Sequence, residues 1–164
     1  MIFVTVGTTS FDALISKINT EEFLTCMKQK GYKALKIQIG RGHILPTDIM
    51  SNTHGIHVEY YRYNAGYKQD IHNATLVISH AGSGSIMDAL SARKPLLVVV
   101  NGQLMDNHQT ELADALQEKN YLIATIIPDF IQCFRSACFS ELTEYPEPNL
   151  HAFPQLLASE LGWK

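Results

Sequence analysis

The sequence predicts an α/β protein with a Rossmann-like, doubly wound and mainly parallel sheet. Short apolar segments of strand length alternate with stretches of helical character along the 164 residues. Most of these segments are continuously apolar, which is typical of parallel strands that are buried on both faces. Glycine and polar residues directly follow several of them. In open parallel sheets, ligands bind beyond the carboxyl ends of the strands, so these segments are candidates for a binding site.

Four strands and one helix are predicted in the first half of the chain. The helix covers residues 11–18, after a strand that runs directly into a Gly-Thr-Thr-Ser loop. The strand at residues 35–39 alternates apolar and polar side chains and ends at a Gly-Arg-Gly sequence. The strand at residues 56–63 is rich in β-branched and aromatic residues. The predicted strands are residues 2–6, 35–39, 56–63 and 76–79.

The alternation continues in the second half of the chain as far as residue 125. Two helices are predicted at residues 85–93 and 107–119, and two strands at 95–100 and 121–125. The strand at 95–100 is the most apolar segment of the sequence. The pattern weakens after Pro128, where residues 130–139 are a further candidate helix, so we predict one Rossmann-like domain with a C-terminal tail. Their predicted bounds are residues 1–127 and 128–164.

The composition indicates an ordinary globular domain. Hydrophobic residues make up 46% and charged residues 18% of the chain, and the net charge of −3 comes without any run of Lys and Arg. We therefore expect no nucleic-acid partner. The opening segment lacks a basic leader, and no apolar run approaches the roughly 20 residues that span a bilayer. The cysteines Cys26, Cys133 and Cys138 lack paired spacing, which predicts reduced thiols and a cytoplasmic protein.

The first candidate site segment is Gly7, Thr8, Thr9 and Ser10, which follows the first strand. Glycine permits a tight turn, and hydroxyl and backbone N–H groups at a helix start bind anions. The same residue types also cap helices, and the sequence does not decide between these two roles.

The second candidate segment is a glycine-rich loop after the strand at residues 76–79. Its glycines allow a ligand to approach the backbone closely, and the following helix directs its positive end at that point. Asp88 is predicted about one turn into that helix, where a carboxylate accepts hydrogen bonds from ribose hydroxyls. The candidate residues of this segment are His80, Gly82, Ser83, Gly84, Ser85 and Asp88.

The third candidate segment is a polar cluster at residues 101–109, directly after the most apolar strand. Packing alone does not require acid and amide side chains at that strand end, whereas binding of sugar hydroxyls does. A helix cap at Asp106 or Asn107 explains one residue of the set. The candidates here are Asp106, Asn107 and Gln109.

Taken together, these motifs resemble the donor-binding, C-terminal half of inverting GT-B glycosyltransferases of the family 28 type. The resemblance rests on HAGSGSIMDAL at residues 80–90, KP and VVV within residues 94–100, and DNHQ at residues 106–109. FVTVGTTSFD at residues 3–12 and QIGRG at residues 38–42 narrow it further. They resemble the cytosolic catalytic subunits of the enzyme that adds the second N-acetylglucosamine to dolichol-diphosphate-linked N-acetylglucosamine.

The resemblance implies a role for each candidate residue. Ser83, Gly84 and Ser85 would hold the donor diphosphate, with residues 7–9 as a second phosphate-side loop. Asp106 and Gln109 would hold the sugar hydroxyls of the donor. Asp88 stands where the family usually has Glu, so its contact with the ribose would be longer or pass through water.

The implied reaction transfers N-acetylglucosamine from UDP-N-acetylglucosamine to the lipid-linked acceptor. The departing diphosphate gains negative charge, which a metal ion or fixed dipoles must stabilise. The sequence contains no Asp-x-Asp pair. We therefore expect a helix N-terminus and serine hydroxyls to do this without a metal or other cofactor. His80 is the candidate general base in this chain. Related two-domain enzymes generally take the base from the acceptor half, however, which favours an architectural or phosphate-contact role for His80.

A GT-B enzyme places donor and acceptor sites in two facing domains, and only the donor-like one is present here. The resemblance therefore implies a membrane-anchored partner subunit that supplies the acceptor half and recruits this chain to the cytosolic face of the endoplasmic reticulum. A predicted amphipathic helix at residues 153–161 would dock to that partner or pack on its own domain.

Two other functions compete with the transferase hypothesis. In the first, the chain is a non-catalytic nucleotide-sugar-binding or scaffold subunit. Loss of transferase activity in a complete complex, with nucleotide-sugar binding retained, would favour it. In the second, the chain would be a standalone transferase if it acted alone on a small soluble acceptor. The tyrosines at 60, 61 and 63 either pack a strand or line a cleft, and the sequence leaves both open.

Overall fold

The computed structural model describes residues 1–52, 54–101 and 107–147. Its centre is a six-stranded sheet with the strand order β3-β2-β1-β4-β5-β6. Each pairing between neighbours in this sheet is parallel, which confirms the predicted fold class. The strands are β1 (Ile2–Thr5), β2 (Ala34–Gln38), β3 (His57–Tyr61), β4 (Leu76–His80), β5 (Leu96–Val100) and β6 (Ile123–Ile126).

Six α-helices connect or follow these strands in the described parts of the chain. Four of them confirm predicted helices, with bounds that differ by a few residues. The structure adds α2 and α3, which the sequence patterns did not indicate. The helices are α1 (Asp12–Ile18), α2 (Glu21–Gln29), α3 (Tyr67–Asn73), α4 (Ser83–Ser91), α5 (Asn107–Glu118) and α6 (Phe130–Ser136).

A local signal for α2 exists in the sequence. Thr20 precedes the helix in an extended conformation, and its hydroxyl oxygen accepts a hydrogen bond of 3.3 Å from the Phe23 N–H. Glu21 and Glu22 follow in the first turn, where negative charge is favourable. Thr20 followed by Glu21 and Glu22 is therefore a recognisable helix start, from which α2 could have been predicted.

The helices cover both faces of the sheet, as the doubly wound fold requires. On one face, α1, α2 and α6 pack with an aromatic group in which the Phe23 ring lies 5.6 Å from Phe130 and 5.1 Å from Phe134. On the other face, α3, α4 and α5 pack through smaller side chains such as Ala89 and Ala113. Each buried phenylalanine contributes about 1.5–3 kcal/mol of burial free energy, so the first face anchors the fold.

Part of the predicted C-terminal tail belongs to this core. Phe130 and Phe134 of α6 are fully buried on the first face of the sheet. The predicted domain boundary at residue 127 stays a prediction. Helix α6, which follows this boundary, packs on the domain that precedes it. The predicted helix at residues 153–161 lies outside the described residues.

The strand order places a change of direction in the middle of the sheet. From β1 the chain moves outward to β2 and β3, and it then returns to β4 on the other side of β1. The connections after β1 and β4 therefore leave the sheet toward opposite sides. Such a switch point opens a crevice at the carboxyl edge, where ligands of this fold class bind.

Candidate functional site

The loops after β1 and β4 meet at the switch point. Thr5 and Ser79 are paired in register at the ends of the two strands. Gly7 has a φ of +63°, and a Cβ added there would lie 3.0 Å from Cε1 of His80 and 3.7 Å from Oγ of Ser85. The structure thus brings together Gly7, His80 and Ser85 from two separate predicted segments. Both its backbone angle and this close approach require glycine at position 7.

Gly82 makes room for the His80 ring from the other side. A Cβ on Gly82 would overlap the Nε2 atom of His80 and lie 2.7 Å from its Cε1 atom. The imidazole is therefore held between the backbones of two glycine-containing loops. The His80 ring thus lies where the two loops meet.

The chemistry of His80 follows from its burial. Burial lowers the pKa of its imidazole, and the Thr5 backbone opposes this effect only in part. The ring is therefore neutral at neutral pH, with one nitrogen as donor and the other as acceptor. Within the described residues its buried Nδ1 atom has no hydrogen-bond partner. A buried polar atom without a partner is costly, which is a feature of sites that a ligand completes.

The N-terminus of α4 opens directly at this junction. Gly82 is the N-cap residue and provides no side-chain hydrogen bond to the first turn. Ser83 and Gly84 are exposed, and a Cβ on Gly84 would meet no atom of the described residues within 4 Å. Ser85 is buried, with its hydroxyl toward the β1 loop. This nine-residue helix thus presents uncapped N–H groups and positive dipole charge to open space, which suits an anion.

A buried polar chain beneath the β1 loop supports it. The Thr5 hydroxyl donates a hydrogen bond of 2.9 Å to Oε1 of Gln38, and both side chains are buried. The Gly7 N–H in turn donates to the Thr5 hydroxyl oxygen at 3.0 Å. The sequence analysis did not identify Thr5 as a site residue, because a lone threonine in an apolar strand gives no signal of such a role.

The other two predicted residues of the β1 loop have different surroundings. The Thr9 hydroxyl donates to the Val6 carbonyl at 3.0 Å, so it stabilises the turn itself. Thr8 is exposed and borders an open cleft of about 630 Å³. Neither hydroxyl caps α1, whose N-cap residue is Phe11 and provides no side-chain hydrogen bond. Anion binding by this loop stays a prediction.

The cleft beside Thr8 is lined by basic and aromatic side chains that the sequence analysis did not select as site residues. Arg41 follows β2, while Arg62 and Tyr63 follow β3, so all three lie at the carboxyl edge of the sheet. Arg62 donates to the Gly42 carbonyl at 2.7 Å and so braces the loop after β2. Of the three tyrosines in this region, Tyr63 is 65% exposed and lines the cleft. Their position directly after strands is the signal that could have identified these residues.

Asp88 lies on α4, in contact with α3 rather than with the loop junction. One of its carboxylate oxygens accepts a hydrogen bond from the Tyr67 hydroxyl, and the other lies 2.9 Å from Nζ of Lys68. Burial would raise the pKa of Asp88, but the bonds from Tyr67 and Lys68 and the Lys68 charge lower it overall. Asp88 is therefore ionised at neutral pH, with both oxygens already held by the protein.

The third predicted segment lies largely outside the described residues. Asp106 is not among them, and of Asn107 and Gln109 only their backbone position in the first turn of α5 is described. Because β5 lies next to β4, the start of α5 follows the neighbouring strand at the carboxyl edge. The proposed sugar contacts of these residues stay predictions.

The described parts of the chain contain neither a candidate membrane span nor a candidate metal site. No helix within them is long and apolar enough to cross a bilayer. Over the same residues, no three His, Cys, Asp or Glu side chains are grouped as metal ligands.

Comparison with known proteins adds family information to this geometry. Residues 1–146 match the family described as the glycosyltransferase family 28 C-terminal domain. The human protein named UDP-N-acetylglucosamine transferase subunit ALG13 is 46% identical over 121 residues, which are 74% of this chain but only 10% of that protein. The protein of that name from Cryptococcus neoformans (strain JEC21) is 30% identical, and the match covers 99% of this chain and 96% of the relative.

Two solved structures extend the comparison. The NMR solution structure of ALG13 has a TM-score of 0.68 at 29% identity, covering 95% of this chain and 94% of that one. The crystal structure of Acinetobacter baumannii MurG has a TM-score of 0.61 at 17% identity, covering 98% of this chain and 42% of that one. At that identity the second match shows the shared fold only. This chain thus matches less than half of a larger protein in fold.

Proposed function

The chain belongs to the glycosyltransferase family 28 C-terminal domain family, and on this premise we propose that it is the donor-binding catalytic subunit of an inverting N-acetylglucosaminyltransferase. The proposed reaction moves N-acetylglucosamine from UDP-N-acetylglucosamine to N-acetylglucosamine-diphospho-dolichol. The observation that carries the proposal is the junction of the β1 and β4 loops around His80, at the uncapped start of α4.

The junction suits the chemistry of the leaving group. When the acceptor hydroxyl attacks the anomeric carbon, the bond to the diphosphate breaks and negative charge grows on its oxygens. First-turn N–H groups of α4 and the hydroxyls of Ser83 and Ser85 can donate hydrogen bonds to those oxygens. Because these donors are held in place before the reaction, they stabilise the charge without reorganisation. We propose that this happens without a metal ion, since the sequence lacks an Asp-x-Asp pair.

We assign His80 to loop shaping and phosphate contact rather than to proton abstraction. Its ring is enclosed by Gly7 and Gly82, which leaves little room for an acceptor hydroxyl beside it. A general base must come within hydrogen-bond reach of the proton that it removes. The base is therefore proposed to come from the acceptor half, on a membrane-anchored partner subunit. The relatives' printed names, which call them subunits, support a complex of this kind.

A second candidate function has one supporting observation. Both oxygens of Asp88 are engaged by α3, as expected if that residue only joined two helices in a non-catalytic nucleotide-sugar-binding or scaffold subunit. The two functions differ in the complete complex. Loss of transferase activity on substitution of Ser83 and Ser85 by alanine, with intact assembly, supports catalysis, whereas unchanged activity supports the scaffold.

The donor site is tested by calorimetric titration of the full chain with UDP-N-acetylglucosamine, with and without EDTA. We expect binding that EDTA does not weaken and that Ser85→Ala and Gln109→Ala reduce. Thr25→Ala serves as a control, because its hydroxyl donates to the Glu21 carbonyl within α2, away from the carboxyl edge of the sheet. Absence of binding by the folded chain, both alone and with its membrane partner, would contradict the donor-site proposal.

A further inference from the structure

The contact between α3 and α4 offers an explanation for the aspartate at position 88. Tyr67 and Lys68 are consecutive residues at the start of α3, and each binds a different oxygen of the Asp88 carboxylate. An aspartate side chain is one methylene shorter than the glutamate that the resembling family has at this position. Its carboxylate therefore stays closer to the α4 backbone, and α3 reaches across to hold it.

The protonation states of Tyr67 and Asp88 are consistent with this hydrogen bond. Burial, followed by the hydrogen bond to Asp88, raises the pKa of Tyr67 to about 12, so the hydroxyl is protonated and donates. Asp88 is ionised and can only accept. The carboxylate is thus held by one neutral donor and one charged donor, which fixes the rotation of the group as well as its position.

The held carboxylate keeps capacity for a ligand. A carboxylate has about four acceptor sites on its two oxygens, and the α3 contacts use two of them. The Asp88 side chain is 24% exposed, so a ligand can reach part of it. Two neighbouring hydroxyl groups, as on a ribose ring, match the two acceptor sites that are left.

Stability alone explains this arrangement poorly. The Lys68 side chain is 65% exposed, and ion pairs that are so accessible to water contribute little to folding. An ordered carboxylate at a ligand site instead lowers the entropy that is lost when the ligand binds.

We infer that Tyr67 and Lys68 are positioning residues, which orient the Asp88 carboxylate so that it accepts hydrogen bonds from the ribose hydroxyls of the donor nucleotide. The inference rests on the proposed donor site and deepens it, because it makes α3 part of the nucleotide specificity. Tyr67 and Lys68 do not touch the reacting atoms in this arrangement.

Calorimetric titration of the full chain with UDP and with 2′-deoxyuridine diphosphate tests the inference, because these probes differ by one ribose hydroxyl. We expect wild-type protein to prefer UDP by about tenfold, the effect of one hydrogen bond to a charged group. Tyr67→Phe and Lys68→Met should each reduce that preference to about threefold or less, with little change in affinity for the deoxy probe. Lys68→Met alters an exposed side chain, so it folds even if Tyr67→Phe does not.

Tyr61→Phe is the matched control. The Tyr61 hydroxyl donates to Asp70 at 2.7 Å, so its removal deletes the same type of bond at a carboxylate that is not proposed to bind the donor. We expect this variant to keep the wild-type preference. An undiminished preference in both Tyr67→Phe and Lys68→Met, or equal weakening of both probes, would overturn the inference alone. A wild-type chain that binds neither probe would overturn the donor site and the inference together.

Discussion

The two edges of the sheet differ in how their polar groups are satisfied. At the amino edge, where the strands begin, the segment that follows α6 is bound to the rest of the domain. Its Glu144 and Glu147 form ion pairs with Arg93, which precedes β5, at 2.9 Å and 2.5 Å. At the carboxyl edge, the buried Nδ1 atom of His80 has no partner within the described residues, and α4 starts without a side-chain cap. The amino edge is completed by the chain itself, whereas at the carboxyl edge the described residues leave a buried acceptor and the start of a helix without a partner.

This difference separates residues that stabilise the fold from residues that we propose to bind the donor. Further contacts close the amino edge, including a hydrogen bond of 2.8 Å from the Thr143 N–H to the Asn120 carbonyl and a T-shaped pair of Tyr121 and Tyr145. At the carboxyl edge, glycines bring two loops against one imidazole ring. Substitutions at the carboxyl edge should therefore change ligand affinity, and substitutions at the amino edge should change stability alone.

The largest effect is expected for Gly82→Ala. The new methyl group would occupy the position of the His80 ring, and overpacking of this kind costs about 1–3 kcal/mol. Displacement of the ring would also separate the two loops, so we expect donor affinity to fall about 10- to 100-fold by calorimetry. The double variant with His80→Ala should regain stability without regaining affinity. Wild-type affinity in Gly82→Ala would show that the junction is not the binding site.

Gly84→Ala should separate affinity from stability at the same edge. A methyl group at this position meets no atom of the described part of the chain, and alanine is favoured over glycine in a helix by about 0.5–1 kcal/mol. We therefore expect an unfolding free energy that is unchanged or higher in urea titration. Donor affinity should fall about tenfold, because the methyl group would lie where the diphosphate approaches. An affinity equal to that of wild type would place the diphosphate elsewhere.

The pH dependence of stability should reveal the lowered pKa of His80. Its native pKa is lowered, whereas an unfolded histidine has a pKa near 6.5. The unfolded chain therefore binds more protons once the pH drops below about 6.5, so the stability present above that pH is lost as the pH falls toward the lower native value. Between about pH 7 and pH 5, wild type should lose more unfolding free energy than His80→Gln, by less than about 1.4 kcal/mol per pH unit. Parallel pH profiles in urea titrations would contradict a lowered native pKa.

The smallest effect is expected for Arg93→Ala at the amino edge. The side chains of Arg93, Glu144 and Glu147 are each about half exposed or more, so the two ion pairs should contribute at most about 1 kcal/mol. Thermal unfolding should show this loss diminished at high salt. Donor affinity should be unchanged, and a clear reduction would mean that the two edges are coupled.

The sequence was sufficient for the architecture, whereas its candidate site segments stay predictions. Continuous apolar runs predicted the buried parallel strands, and glycine with hydroxyl residues directly after β1 and β4 predicted where a ligand would bind. These features are local, because consecutive residues determine both the burial of a strand and the point at which it ends. The helices α2 and α3 were not predicted, although the cap at Thr20 was a usable local signal for the first of them.

Only the tertiary structure showed which residues work together. The enclosure of His80 by Gly7 and Gly82, the support of the β1 loop by Thr5 and Gln38, and the contact of Asp88 with α3 all join separate elements. Such pairings depend on strand order and on how helices pack against the sheet, which no local pattern encodes. The same reason explains why Asp88, a candidate from its spacing alone, proved to be held by two residues that its own segment does not contain.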